Sequence, residues 1–386
     1  MALISLDRVR RISRTIRQSP RTSFLCACKK VEFGLFGRNA SPRAYNHPVG
    51  IDIELTNICN LQCPWCDTQH YADKEVKKRE IPWEVYQRIA PKLAGINRVM
   101  FCGGGETLTH KHAPEAVALT KQYVPTVLMH SNGTLLRGER AEKLAASGLD
   151  GLRISIDGAD EQTFQQVRGT SLKQIIENMQ FFSSRCATPI STVSVISKTN
   201  WRSLLDVPDL LRQIKNVRQL YFQPVEVDFL GWQGESYHVS GEELRELRDT
   251  VLDKCRRYGL ETNIDDPDFD PLFFKPFKLC EYPFFGYITL NYEGFVAPCC
   301  RLTNVAHMGD LKEQDFEAVW NGEAFTQLRA LMLKGEYPSY CHSRCNYRVE
   351  MKPQPSAQTP GRLKQGQRKG DAAGEGLLAI EQLQGA

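Results

Sequence analysis

The chain has 386 residues, 41% of them hydrophobic and 24% charged, with a mean hydropathy of −0.39; this fits one large soluble domain with an appendage or two ordinary ones, and excludes a disordered chain. No window approaches the roughly 18 consecutive apolar residues of a membrane-spanning helix and the N-terminus lacks a secretory pattern, so a cytoplasmic location without a transmembrane segment is expected. The formal charge of +4 resolves into +7 over residues 1–40 and +2 over residues 351–386 around a body of −5, which is no footprint for nucleic acid.

The first 48 residues read as a separate basic extension. Within them Ile4 to Ile12 suits a short basic amphipathic helix ending near Pro20, which could meet an anionic membrane surface, a partner or solvent. From residue 51 the pattern becomes strand then helix, repeated. Apolar, β-prone runs occur at 51–55, 97–102, 126–130, 151–156, 190–196 and 218–222, and helix-period segments at 82–93, 112–123, 138–147, 171–184 and 201–214. Six such units with right-handed crossovers form either a doubly wound sheet or a partial barrel, and in both the chemistry gathers at the C-terminal strand ends. Polar and glycine residues cluster there: Thr56-Asn57-Ile58-Cys59, Gly103-Gly104-Gly105-Glu106, Ser131-Asn132-Gly133, Asp157-Gly158 and Gln223-Pro224.

After a helical segment at 240–257 the alternation stops. A hairpin is expected over Tyr287–Val296, turning at Glu293-Gly294, then a helix around 314–333. The expected domains are therefore the extension 1–48, a main domain 49–258, a smaller α+β module 259–350 and a disordered Gly/Pro/Gln-rich tail 351–386.

Thirteen cysteines in a chain without an export pattern point to metal or cluster ligation before disulfides. Cys59-Asn60-Leu61-Gln62-Cys63-Pro64-Trp65-Cys66 is a C-x3-C-x2-C run in the loop after the first strand. It lacks the two-plus-two spacing of a structural zinc site, and three close thiolates suit three irons of a cubane, leaving one iron open. Cys280, Cys299, Cys341 and Cys345 surround the hairpin and a following loop, and four cysteines there bind zinc or a fully ligated [4Fe–4S] cluster. Cys102, Cys186 and Cys255 read as small buried hydrophobes; Cys26 and Cys28 have no assigned role.

The cysteine run with Trp65 as its aromatic, followed at later strand ends by Gly104-Gly105-Glu106, Ser131-Asn132, Ser155-Ile156-Asp157 and Val167-Arg168-Gly169, resembles the radical S-adenosylmethionine superfamily. The resemblance implies a partial (β/α)6 TIM-like barrel. It also implies a [4Fe–4S] cluster on Cys59, Cys63 and Cys66, and S-adenosylmethionine chelated at the open iron. Gly104, Gly105 and Glu106 then meet the methionine amino group, Arg168 its carboxylate, and Ser131, Asn132, Ser155 and Asp157 the ribose and methionyl portions. The C-terminal pattern resembles the SPASM/twitch extension, implying one auxiliary [4Fe–4S] cluster on Cys280, Cys299, Cys341 and Cys345, with Cys300 competing with Cys299.

In such enzymes a reduced cluster, fed by a flavodoxin- or ferredoxin-type donor, cleaves S-adenosylmethionine to a 5′-deoxyadenosyl radical that abstracts a substrate hydrogen. The twitch resemblance favours dehydrogenation of a sugar or cyclitol alcohol. Hydrogen return from a thiol such as Cys300 or Cys102 would make it an epimerase. Peptide modification is the alternative enzyme class, although the N-terminal segment is short for a peptide-recognition domain; a non-catalytic iron–sulfur electron-transfer protein is the alternative outside enzymes. Phe222, Gln223, Tyr237, His238, Tyr282 and Phe284 are candidates to line the cavity between the two modules.

Overall fold

The computed structural model describes residues 20–36, 39–64, 66, 79–225, 238–264, 280 and 282–344. The basic stretch 4–12, Trp65, Tyr237, Cys345 and the tail from 351 lie outside these described residues. A helix, α1 (Pro20–Phe36), begins where the sequence reading ends its N-terminal helix. It is held by Lys29, whose buried ammonium donates to the carbonyls of Ser41 and Arg43 at 2.7 and 3.0 Å.

The six apolar runs form parallel strands: β1 (Gly50–Ile53), β2 (Arg98–Phe101), β3 (Thr126–Ser131), β4 (Gly151–Ser155), β5 (Ile190–Ile196) and β6 (Val217–Pro224). Between them lie α2 (Trp83–Ile89), α3 (Ala113–Thr120), α4 (Gly138–Ala146), α5 (Glu161–Arg168), α6 (Leu172–Arg185), α7 (Trp201–Leu204) and α8 (Val207–Leu211). Two details differ from the periodicity reading. A separate α5 is set up by Asp160, which accepts from the Thr163 N–H at 2.8 Å, and is ended by Gly169 in the left-handed region at φ 69°. The expected helix at 201–214 is two short ones, with Pro208 in the first turn of α8, where a missing N–H costs nothing.

Beyond β6 come α9 (Gly241–Tyr258), β7 (Glu261–Thr262), α10 (Tyr282–Phe285), β8 (Tyr287–Leu290), β9 (Phe295–Ala297), β10 (Gly309–Asp310), α11 (Phe316–Trp320), α12 (Glu323–Lys334) and α13 (Ser339–Arg344). The expected hairpin forms as β8 and β9 and turns through Gly294 at φ 88°. It is part of the main sheet: β8 pairs parallel with β1, so one sheet runs β10-β9-β8-β1-β2-β3-β4-β5-β6-β7 and stays open. The expected helix at 314–333 breaks at Asn321-Gly322. The Asn321 side chain there exchanges two hydrogen bonds with Ala44, at 3.0 and 2.8 Å. The Trp320 indole donates to the Asn46 carbonyl at 2.7 Å, so residues 44–46 are strapped onto the C-terminal helices rather than standing apart.

Strand alternation decides the core. Ile51, Ile53, Val99, Phe101, Val127, Met129, Leu152 and Ile154 are fully buried on the face covered by helices, within one apolar cluster that includes Tyr86, Val117, Phe164 and Phe182. Each such side chain contributes roughly 1.5–3 kcal/mol of burial. The intervening residues, Asp52, Arg98, His130, Arg153 and Ser155, are half-buried and face the inside of the partial barrel. No helix among the described residues is long and apolar enough to cross a membrane.

Candidate active site

The loop after β1 is closed at its base. Thr56 bridges to Glu80, the Thr56 hydroxyl donates to the Arg79 carbonyl at 3.1 Å, and Asn57 Oδ1 accepts from the Arg79 N–H at 2.7 Å. The loop is then tied across to the loop after β3. Asn60 Nδ2 donates to Thr134 Oγ1 at 2.8 Å, and Asn132 Nδ2 donates to Asn60 Oδ1 at 2.9 Å. Cys63 and Cys66 are linked by a Cys66 N–H to Cys63 carbonyl bond of 3.1 Å, and the Cys63 thiol lies 3.8 Å from the Arg168 carbonyl oxygen. Burial pushes the Cys59 and Cys63 thiols up.

The glycine loop after β2 explains itself by contact. A Cβ on Gly105 would run into the Thr56 carbonyl and come within 2.7 Å of the Ile58 carbonyl, and one on Gly103 would lie 2.7 Å from Glu54 Cβ. These glycines let two backbones touch, so that the Glu106 N–H reaches the Ile58 carbonyl at 2.9 Å. The sequence reading assigns Gly105 to ligand approach; the contact that demands glycine is with the cysteine loop itself. Glu106 is buried, and its carboxylate accepts from the Leu108 N–H at 3.0 Å, Ser131 Oγ at 2.7 Å and the Asn132 N–H at 2.6 Å. Burial raises its pKa against these three hydrogen bonds. Ser131 and Asn132 thus hold the carboxylate in place.

On the opposite wall Arg168, at the end of α5, donates from Nη1 to Asp157 Oδ2 at 3.1 Å, while Asp157 Oδ1 accepts from the Val195 N–H at 2.7 Å. Burial opposes the guanidinium charge, yet Asp157 and the thiols of Cys63, Cys66 and Cys59 hold the Arg168 pKa above its usual value. Ser155 Oγ pairs with His130 Nε2 at 3.0 Å. Burial, with Arg153 and Arg168 nearby, pushes His130 down to about 3, so this imidazole is neutral at physiological pH.

These residues converge. Cys59, Cys63, Cys66, Gly104, Gly105, Glu106, Ser131, Asn132, Ser155, Asp157 and Arg168 all line one cavity of about 340 Å³ at the C-terminal strand ends. Leu61, Cys102, Gly103, His130, Val193, Val195 and Gln223 complete its wall. His130 is absent from the sequence reading, which took residues beyond the strand ends and passed over the last inward residue of β3. Cys102, read there as core filler and, with Cys300, as a candidate hydrogen-returning thiol, lines this cavity, its thiol pushed well up by burial. Of the candidates for a cavity between the two modules, Phe222 and Phe284 belong to the apolar core, and Gln223 lines this strand-end cavity instead.

Around the hairpin, Cys299 and Cys280 are half-buried against the core and Cys341 is buried. The Cys280 N–H donates to the Tyr337 hydroxyl at 3.3 Å. Burial raises the Tyr340 pKa, with the thiols of Cys341 and Cys299 adding to it, whereas exposed Cys300 acts electrostatically on Cys102. Cys299 is thus half-buried where its neighbour Cys300 is exposed.

Three thiols around an open cavity, beside a buried carboxylate and a paired guanidinium, fit an iron–sulfur cluster that carries a zwitterionic ligand.

The radical SAM superfamily model matches residues 53–211, and the model of an iron–sulfur cluster-binding (SPASM) domain matches residues 280–346. The chain carries a radical SAM domain. That domain implies a [4Fe–4S] cluster and S-adenosylmethionine, and the SPASM domain implies an auxiliary cluster. It is 25% identical over 311 residues to the AdoMet-dependent heme synthase of Methanosarcina barkeri, covering 74% of this chain and 85% of that protein. It is 26% identical over 257 residues to the sporulation killing factor maturation protein of Bacillus subtilis, covering 65% and 60%. In fold it is similar to Streptococcus suis SuiB, with a TM-score of 0.60 at 16% identity over 79% of this chain and 76% of that one. It is also similar to anSMEcpe with bound AdoMet, with a TM-score of 0.58 at 15% identity over 78% and 92%.

Proposed function

We propose that this radical SAM enzyme abstracts a hydrogen atom from a substrate held inside the barrel, below the cavity at the strand ends. The observation that carries the reading is the convergence of three thiols, a buried carboxylate and a buried guanidinium on one cavity. Cys59, Cys63 and Cys66 would hold the cluster, Glu106 the methionine ammonium and Arg168 the methionine carboxylate. Gly104, Gly105, Ser131, Asn132, Ser155 and Asp157 complete that wall. When bound, the reduced cluster and S-adenosylmethionine supply a 5′-deoxyadenosyl radical, which takes a hydrogen atom from an unactivated carbon.

The chain's own part is positioning and exclusion of water. Ser131 and the Asn132 N–H fix the orientation of Glu106, and Asp157 fixes that of Arg168. A cavity of this form has no role in a simple electron carrier. The reaction favoured is oxidation or epimerisation of a sugar- or cyclitol-type small molecule. Oxidation of an alcohol removes a hydrogen atom, then one electron and one proton, so it requires an electron acceptor. Cys280, Cys299, Cys341 and Cys345 would hold that acceptor as one auxiliary [4Fe–4S] cluster, and the inward placement of Cys299 against exposed Cys300 supports Cys299. A flavodoxin- or ferredoxin-type protein would supply the first electron, in a reducing, cytoplasmic setting.

Peptide maturation is the second reading, supported by the likeness in fold to SuiB, whose structure has been solved with its precursor peptide, and by the similarity to the Bacillus maturation protein. Product analysis in deuterated water separates the outcomes. A two-electron-oxidised product supports dehydrogenation, and solvent deuterium retained at a C–H centre supports epimerisation. If 5′-deoxyadenosine forms only with a peptide, the small-molecule reading fails.

A further inference from the structure

The inside of the barrel holds a cation that the cofactor reading does not use. Strand register puts Arg153 of β4 beside His130 of β3 on one side and beside Ser191 of β5 on the other. Its guanidinium lies 4.6 Å from the centroid of the Tyr221 ring, and Tyr221 is itself fixed by donating to Gln219 Oε1 at 2.6 Å. Two inward layers below by strand register, Arg98 lies 5.4 Å from the Tyr287 ring and donates to its hydroxyl at 3.2 Å. The Nε atoms of both arginines are buried and have no hydrogen-bond partner among the described residues.

Arg168 and Arg329 each have an ion-pair or carbonyl partner, although Arg329 Nη2 has none among the described residues. Arg168 pairs with Asp157, and Arg329 donates from Nε to the Pro283 carbonyl at 2.6 Å. Arg153 has neither kind of partner among the described residues; the Asp52 carboxylate acts on it only from beyond ion-pair distance. An aromatic face offsets only part of the cost of such a charge, well short of a carboxylate's fork-to-fork hydrogen bonds. Arg153 itself is not part of the cavity wall, but its register partner His130 is, so Arg153 lies beside that wall.

We propose that Arg153, stacked on Tyr221, reads an oxyanion of the substrate, a carboxylate or a phosphate. The proposal rests on the substrate occupying the barrel interior, as argued above, and it limits that substrate to an acidic or phosphorylated molecule whose anionic end points down the barrel. The planar guanidinium grips two oxygens at once, so lysine is a poor replacement.

The test uses the full chain, anaerobically reconstituted and loaded with S-adenosylmethionine so that Glu106 and Arg168 are occupied. Thermal unfolding is followed in rising inorganic phosphate or acetate, with chloride holding ionic strength constant. Binding to the folded state raises the midpoint saturably. The wild type is expected to show such a rise, Arg153→Gln to need at least tenfold more anion for half the effect, and Arg153→Lys to fall between. Saturation by phosphate at the lower concentration would identify a phosphorylated substrate, and by acetate a carboxylic acid. No saturable rise in the wild type, or equal half-saturation in wild type and variants, overturns the proposal. Should Arg153→Gln fail to fold, the comparison with Arg153→Lys decides. Formation of 5′-deoxyadenosine by the same wild-type preparation reports separately on the cofactor reading, so the two failures are distinguishable.

Discussion

The two faces of the same strands do different work. Towards the helices β1, β2, β3 and β4 present Ile51, Ile53, Val99, Phe101, Val127, Met129, Leu152 and Ile154, all fully buried. Towards the barrel interior they present Asp52, Arg98, His130, Arg153 and Ser155, all half-buried. Parallel strands packed on both faces read as continuous apolar runs; here polar residues break the inner face at Asp52, Arg98, His130, Arg153 and Ser155, while Met100 and Leu128 keep it apolar between them. A shift of one residue in register would exchange the faces, so the packing that fixes the outer face also fixes the chemistry of the inner one.

Substitutions on each face sharpen this contrast. The largest effect is expected at the cavity. Gly105→Ala pushes a methyl group into the carbonyls of Thr56 and Ile58, separates the glycine loop from the cysteine loop, and should lower 5′-deoxyadenosine formation by about a hundredfold or more, since roughly 1 Å of misplacement costs that much. On the outer face, Phe101→Ala should cost about 3–5 kcal/mol of stability, read as a shift of the urea midpoint.

Asp52 distinguishes the inner face by pH. Burial holds its carboxyl up at about 6 against the pull of Arg98 and Arg153. Its folded pKa lies above its unfolded one, so the native state binds the extra proton and stability falls as pH rises through 6. Between pH 5 and pH 7 the wild type should lose about 1 kcal/mol that Asp52→Asn does not; equal slopes in urea denaturation would contradict this. The smallest effect belongs to the surface. Ser240 and Glu243 form a reciprocal capping box at the start of α9, and Ser240→Ala should cost about 1 kcal/mol while 5′-deoxyadenosine formation is retained.

What the sequence discloses follows the range of each interaction. The six strands and the cysteine, glycine and Ser131-Asn132 clusters are legible because local spacing carries them. The inward residues were equally legible in principle, since His130 and Arg153 occupy alternate positions of strongly patterned strands, but attention to the residues after each strand passed over them. The pairing of β8 with β1 joins residues more than two hundred positions apart and leaves no local trace. Helix α1 escaped for a different reason: Phe24, Val31 and Leu35 lie on its exposed side, while Lys29 anchors its inner one.

The central claim is that the loop of Cys59, Cys63 and Cys66 holds the cluster at which S-adenosylmethionine is cleaved. The direct measurement compares iron content and 5′-deoxyadenosine formation in reduced, anaerobically reconstituted wild type and Cys59→Ala. The wild type should hold about eight irons per chain, in two cubanes, and form 5′-deoxyadenosine. The variant should keep about four and form none; continued cleavage of S-adenosylmethionine by Cys59→Ala would contradict the account.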